Sequence, residues 1–279
     1  MEPAKNLEAV PHTPAELRAL VRARVWRKPT PGLCPGRVQA NLLVLPQDAA
    51  RLFRQFAAAN PKPLPVLEEL APGVFEPKLA PGADIRNDCP GYVIFRHGAP
   101  APAESLRDIW DSSMVGFLIG CSFSFEWAMA ALGLPVRHIE LGCNVPMFRT
   151  NRAMTPVGPF SGNMVATMRP IPADKLELAY AASARLPKAH GAPIHAGDPA
   201  ALGILDLERP DYGDPVPVRP DEIPVFWACG VSGLEALAAA KLPLAATHAP
   251  GHMFVTDLSE EALTEAPEKN SPQQEVRHD

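Results

Sequence analysis

No run in this sequence reaches the ~18 consecutive apolar residues that a membrane-spanning helix needs, so a helical membrane protein is excluded. Neither GxGxxG nor GxxxxGK[ST] occurs, and without a phosphate-cradling glycine loop nucleotide-dependent ligation is disfavoured. There is no CxxC pair. The five cysteines (Cys34, Cys89, Cys121, Cys143, Cys229) are odd in number and widely spaced, which suits neither a disulfide framework nor a structural zinc. A basic stripe is also missing: 26 basic against 31 acidic residues give a net charge of −5 spread along the chain. Nucleic acid and membrane surfaces are therefore not expected partners. The opening Met1-Glu-Pro-Ala-Lys-Asn-Leu-Glu8 has no signal-peptide apolar region, and with the reduced cysteines it makes the cytoplasm the expected location.

Proline, by contrast, is abundant: 34 in 279 residues, more than twice the usual ~5%. The prolines are dispersed between apolar runs, which predicts a compact fold with many fixed loops. The length allows one large or two modest domains.

The most informative pattern is a segment that occurs twice. Cys121-Ser-Phe-Ser-Phe-Glu-Trp-Ala-Met-Ala-Ala-Leu-Gly-Leu-Pro135 is matched by Cys229-Gly-Val-Ser-Gly-Leu-Glu-Ala-Leu-Ala-Ala-Ala-Lys-Leu-Pro243. Each has serine three residues after cysteine and closes on Leu-Pro, and each follows an apolar run (115–120 and 223–228). Both read as buried strand, cysteine, helix. A thiol beside a helix N-terminus meets free N–H groups and the positive end of the helix dipole, which favour a thiolate or a bound carboxylate. The bland alternative is two small core hydrophobes.

Elsewhere, Thr13-Pro-Ala-Glu16 predicts a capped helix to about Arg24. Strands are expected over 38–45, 91–96, 136–140, 163–170 and 253–256, and helices over 48–59, 105–112 and 173–186. The segments 61–87 and 142–151 read as loops, and 270–279 as disordered.

Several stretches resemble the D-glutamate cyclase family: Val115-Gly-Phe-Leu-Ile-Gly-Cys-Ser-Phe-Ser-Phe-Glu126, Arg137-His-Ile-Glu140, Asn144-Val-Pro-Met147, Arg149-Thr-Asn151, Met168-Arg-Pro-Ile171, His190-Gly-Ala-Pro193, Gly197-Asp-Pro199, Pro224-Val-Phe-Trp-Ala-Cys-Gly230 and Thr247-His-Ala-Pro-Gly-His252. The resemblance runs from about residue 14 to about 258. It implies dehydration of D-glutamate to 5-oxo-D-proline or a related hydro-lyase reaction, without metal or nucleotide cofactor. It also implies an α/β body with an additional smaller α/β domain. The expected fold is thus α/β in two domains. A main three-layer α/β/α body, residues 1–139 and 196–258, carries the duplicated strand–Cys–helix units. A smaller α/β domain is inserted at 140–195, and 259–279 form a polar tail.

Cyclising an amino diacid requires an acid for the carboxyl, donors for the oxyanion and an unprotonated amine. Cys121 and Cys229 are candidates at the reacting centre, with backbone and side-chain donors around Ser122 and Ser124. Glu126 is a candidate general acid if Phe123, Phe125 and Trp127 raise its pKa; otherwise it is a first-turn carboxylate stabilised by the dipole. His190, His195, His248 and His252 sit in Gly/Pro loops with Asp198 and suit proton transfer or substrate binding, with metal ligation or loop-pinning as the alternatives. Arg149 and Arg169 are candidate carboxylate anchors, and Asn144 and Asn163 complete the polar shell. The expected partner is a small acidic substrate, and a homodimer is left open. A two-cysteine racemase and a non-catalytic small-acid-binding protein are the rival readings.

Overall fold

The computed structural model describes residues 10–264, so the tail expected to be disordered lies outside the described residues. Thr13 caps α1 (Pro14–Arg22): its side chain accepts from the Glu16 amide, and Glu16 reaches back to the cap. β1 (Arg37–Pro46) is buried along almost its whole length. Ala40, Leu42 and Val44 enter one apolar cluster, while Leu43 and Leu45 enter another. Burial on both faces is why it reads as one continuous hydrophobic run. α2 (Gln47–Ala59) buries Ala49, Ala50, Phe53, Phe56 and Ala57 on one face, and Asn60 ends it by donating to the Phe56 carbonyl at 2.8 Å.

β2 (Val66–Glu69), β3 (Tyr92–Arg96), β4 (Ala99–Ala103) and β5 (Met114–Gly120) follow. Beyond β5 come α3 (Phe123–Ala131), α4 (Arg137–Glu140), β6 (Met147–Ala153), β7 (Asn163–Pro172) and α5 (Leu176–Ala184). The last elements are β8 (His195–Ala196), β9 (Glu222–Cys229), α6 (Ser232–Ala240), β10 (Ala245–His248) and β11 (Phe254–Ser259). The architecture is mixed α/β with two sheets. One has seven strands in the order β2-β5-β1-β10-β3-β4, with β11 also on β1; the other has four, β6-β7-β9-β8. The strand pairs in both are antiparallel. Among the described residues no helix is long and apolar enough to cross a membrane.

Four segments differ from expectation. Residues 66–69, within a segment read as loop, form β2 because β5 offers an edge to pair with (Val66 opposite Ile119). Residues 136–140 form α4 rather than a strand, because Arg137 is held by Glu140 one turn on and by Glu222, pairings a strand would splay apart. Residues 147–153, expected within a loop, form β6 because β7 offers a free edge (Phe148 opposite Ala166, Arg149 opposite Val165). Within 105–112 only Arg107–Ile109 turn helically, since Asp111 accepts from the Ser113 amide at 2.7 Å and closes a tight turn instead. The second sheet also takes β9 from outside the 140–195 segment proposed as the smaller domain.

Each cysteine stands at the end of an inner strand of its sheet. β5, which leads to Cys121, lies between β2 and β1; β9, which ends at Cys229, lies between β8 and β7. The strand after each cysteine helix then crosses over: β6 pairs with β7, and β10 and β11 pair with β1. Each serine at Cys+3 laces its helix to the neighbouring strand. Ser124 Oγ accepts from the Gln39 amide at 3.1 Å, and Ser232 Oγ accepts from the Val165 amide at 2.9 Å. Removing either hydroxyl strands a buried strand N–H, so Ser124→Ala and Ser232→Ala should each lower stability by about 1–3 kcal/mol in urea unfolding. A neutral result for one and a loss for the other would show that the two serines are not equivalent.

Candidate active site

Cys121 and Cys229 sit at the two strand-to-helix corners and join the same apolar cluster, with Leu43, Val165, Val231 and Met253. Neither helix has a side-chain N-cap, and the sulfurs take that place. The Phe123 amide donates to Cys121 Sγ at 3.4 Å, and the Val231 amide lies against Cys229 in the same way. This is the geometry the spacing implies, but its electrostatic consequence is the reverse of a thiolate. Burial pushes the Cys121 thiol well above the usual range, and only part of that is offset by the Phe123 amide. Burial likewise pushes Cys229 up to about 11, against the opposing Val231 amide and Arg169. Both are neutral thiols at pH 7, because desolvation outweighs one backbone N–H and the helix end.

Beside them lies a buried ion cluster. Arg169, on β7, is fully buried and donates through Nε to Glu126 Oε1 at 3.0 Å, through Nη2 to the same oxygen and to Ser122 Oγ at 3.0 Å, and through Nη1 to Thr167 Oγ1 at 3.1 Å. Its guanidinium also lies 5.1 Å from the Phe125 ring and 5.4 Å from the Trp227 ring. His138 Nε2 is 3.0 Å from Glu126 Oε1, within ion-pair distance though not in hydrogen-bond alignment, and Glu126 Oε2 has no hydrogen-bond partner. Burial pushes the Glu126 carboxyl up, yet His138 and Arg169 together outweigh it and hold it below its ordinary value. Glu126 is therefore ionised and not the general acid expected from its aromatic neighbours. Arg169 is occupied by these partners rather than free to anchor a substrate. His138 was missed because its segment read as a strand; the turn of α4 brings it inward.

His190 is buried at a left-handed φ of 76°, in a turn pressed against the end of β5. A Cβ on Gly120 would fall 1.6 Å from the Lys188 carbonyl oxygen, so only glycine allows that approach. His190 Nδ1 lies 2.8 Å from the Lys62 carbonyl, an acceptor only, so Nδ1 carries the proton and Nε2 presents a lone pair. Nε2 has no partner. His248 is buried where β1 changes partner from β10 to β11, with Nδ1 3.2 Å from the Leu42 amide nitrogen.

The other candidates lie elsewhere. Ser124 is taken up by Gln39, as described. Arg149 is half exposed, its guanidinium bound by Asp211, Tyr212 and Glu235 at the surface, because β6 is the edge strand of the second sheet. Asn163 is exposed at the start of β7. His195 and Asp198 sit on the far face of the second sheet, where the His195 ring meets Phe226 and Asp198 caps a short turn through the Ala200 amide. Asn144 and His252 bind the Pro250 carbonyl from either side of the 248–252 loop. Asn144 shares a cavity of about 320 Å³ with His138 and Asp214. Among the described residues no three His, Cys, Asp or Glu side chains converge as metal ligands.

Residues 115–257 match the D-glutamate cyclase family. A protein of Geobacillus kaustophilus named "Putative hydro-lyase" is 49% identical over 257 residues, covering 91% of this chain and 98% of its own. Proteins of the same name from Stutzerimonas stutzeri and Bordetella pertussis are 51% identical over 253 residues (90% and 96% covered) and 53% identical over 246 residues (87% and 88%). A solved nitrogen repressor-like protein from Methanococcus jannaschii overlaps at a TM-score of 0.37 with 11% identity over 89% of this chain and 98% of its own, too slight a likeness to bear on the fold.

Burial lowers the His190 and His248 imidazoles from 6.5 to about 4. Between those values the unfolded chain takes up protons that the native imidazoles refuse, so stability falls as pH drops from 6.5 to about 4, by about 3 kcal/mol for each histidine. His248→Asn should flatten the pH dependence of the unfolding free energy by about one proton in that window. An unchanged slope would mean that His248 charges freely in the native state.

Proposed function

Because the chain belongs to the D-glutamate cyclase family, we propose that it is a hydro-lyase that removes water from a small acidic amino acid, of the type that closes D-glutamate to 5-oxo-D-proline. The observation that carries this reading is the pair of neutral thiols in one apolar cluster beside a permanently ionised, self-contained Arg169–Glu126 pair. The thiol corner itself is dry, has weak donors, and keeps its one buried ion pair satisfied among its own residues.

Such a site favours the uncharged form of its substrate. An ammonium and a γ-carboxylate brought together out of water neutralise each other, because two desolvated charges cost more than an amine and a carboxylic acid. The amine so formed is a nucleophile and the acid an electrophile. The nitrogen attacks the γ-carboxyl carbon, the N–C bond forms, and the C–O bond to the departing hydroxyl breaks. The departing hydroxyl leaves as water with a second proton from nitrogen. His190 Nε2 accepts from the amine and orients it, and the Cys121 and Cys229 thiols donate to the oxyanion. The two strand–Cys–helix units act as two copies of one structural unit, each supplying one thiol. Thioester formation loses support, since a thiol held this far above its usual pKa is a poor nucleophile at neutral pH. Two thiols in one cluster also suit a racemase, in which the α-hydrogen would exchange with solvent and no mass would be lost.

Incubation with D- and L-glutamate and their homologues should give a product lighter by one water, without α-hydrogen exchange. Exchange without mass loss would establish the racemase instead. In the identified reaction, Cys121→Ala should lower kcat by ~100-fold at nearly constant KM, the usual loss for one oxyanion donor. Cys121→Ser, which keeps a donor, should recover most of it. A serine variant as inactive as the alanine one would return the thiol to the role of nucleophile.

A further inference from the structure

A cavity of about 730 Å³ lies between the end of α2, the start of β2 and the His190 turn. Its wall is partly apolar (Leu64, Pro65), and His190, with its unpartnered Nε2, forms part of it. The charges around it do not balance. Arg54 and Glu69 neutralise each other through a bidentate pair at 2.5 and 2.6 Å. Two lysines are left. Lys62, half-buried, reaches across to donate to the Ala192 carbonyl at 2.7 Å, and Lys188 reaches the opposite way to the Val66 carbonyl at 3.3 Å. Neither has a carboxylate partner among the described residues. Burial holds the Lys62 ammonium below its ordinary value, with no neighbouring acid to offset it. A half-buried ammonium satisfied only by a carbonyl is a charge awaiting an anion.

We propose that this cavity is a binding site for a small dicarboxylate, with Lys62 and Lys188 each holding one carboxylate beside His190. The proposal deepens the reading above and rests on it for the identification of the diacid as substrate. The Gly120–Lys188 backbone approach sets this turn against the end of β5, the strand that leads to Cys121, so the cavity adjoins that strand end without being lined by either cysteine. Arg149, already paired at the surface, plays no part in it.

Glutarate, a dicarboxylate with no amine to react, separates binding from turnover. Calorimetric titration of the full chain should give one saturable site whose affinity falls as salt rises. Lys62→Met should weaken it at least tenfold and Lys188→Met severalfold, while Lys62→Arg restores most of the loss and Arg149→Ala changes nothing. Thermal melts should show that the variants are folded. Absence of saturable binding to the wild type, or wild-type affinity in folded Lys62→Met, would overturn the proposal. Water loss from a diacid with an unchanged KM in Lys62→Met would remove the site and leave the proposed activity standing. Glutarate bound through Lys62 without dehydration of any diacid would remove the activity and leave the site.

Discussion

The contact between Arg169 and Glu126 joins the two halves of the molecule. Arg169 belongs to the second sheet; Glu126 belongs to the helix that leaves the first. Both charges are out of water, where a lone one would cost several kcal/mol, so neither element can move away without leaving an unpaired ion. The guanidinium spends its other donors on Ser122 and Thr167, which fixes the residue after Cys121 and the adjoining strand. The position of the Cys121 thiol relative to Cys229 follows from this. Specificity of arrangement, rather than net stability, is what such a pair supplies.

Strand exchange supports the same arrangement from the backbone. β6 follows the first cysteine helix but completes the second sheet, and β10 and β11 follow the second helix but complete the first. Neither sheet satisfies its backbone groups from one half of the chain alone. The corners carrying the cysteines therefore lie where the halves interlock, and the apolar cluster around the thiols draws residues from both sheets. The dryness that keeps the thiols protonated is thus a product of topology.

Much of this was legible in the sequence because the signals were local. The Thr13–Glu16 capping box, the continuous apolar run of β1 and the strand–Cys–helix order of the two cysteine units are each carried by neighbouring residues, and each folds as read. What could not be read depends on partners far along the chain. Glu126 sits among aromatics, which points to a raised pKa, but its charge is set by His138 and Arg169, 12 and 43 positions away. Arg149 and Arg169 look alike as sequence. Only the finished sheet separates them: Arg169 lies on the inner strand β7 and is covered, while Arg149, in register with Val165 and so on the same face, lies on the edge strand β6 and reaches solvent. His138 was hidden because Val136-Arg-His-Ile-Glu140 carries β-branched residues, and the ion pairs that make it helical lie on Glu140 and Glu222. His190 and His195 share a loop in sequence but face opposite sides of the second sheet.

The central claim is that Arg169 and Glu126 act as one unit. A double-mutant cycle of Arg169→Met and Glu126→Gln in reversible urea unfolding tests it. Each single variant should lose about 3–5 kcal/mol by exposing an uncompensated buried charge or donor set, and the double variant should lose no more than either one alone, which is a coupling of several kcal/mol. Strictly additive losses would contradict the account, placing the two residues in separate networks and the link between the halves elsewhere.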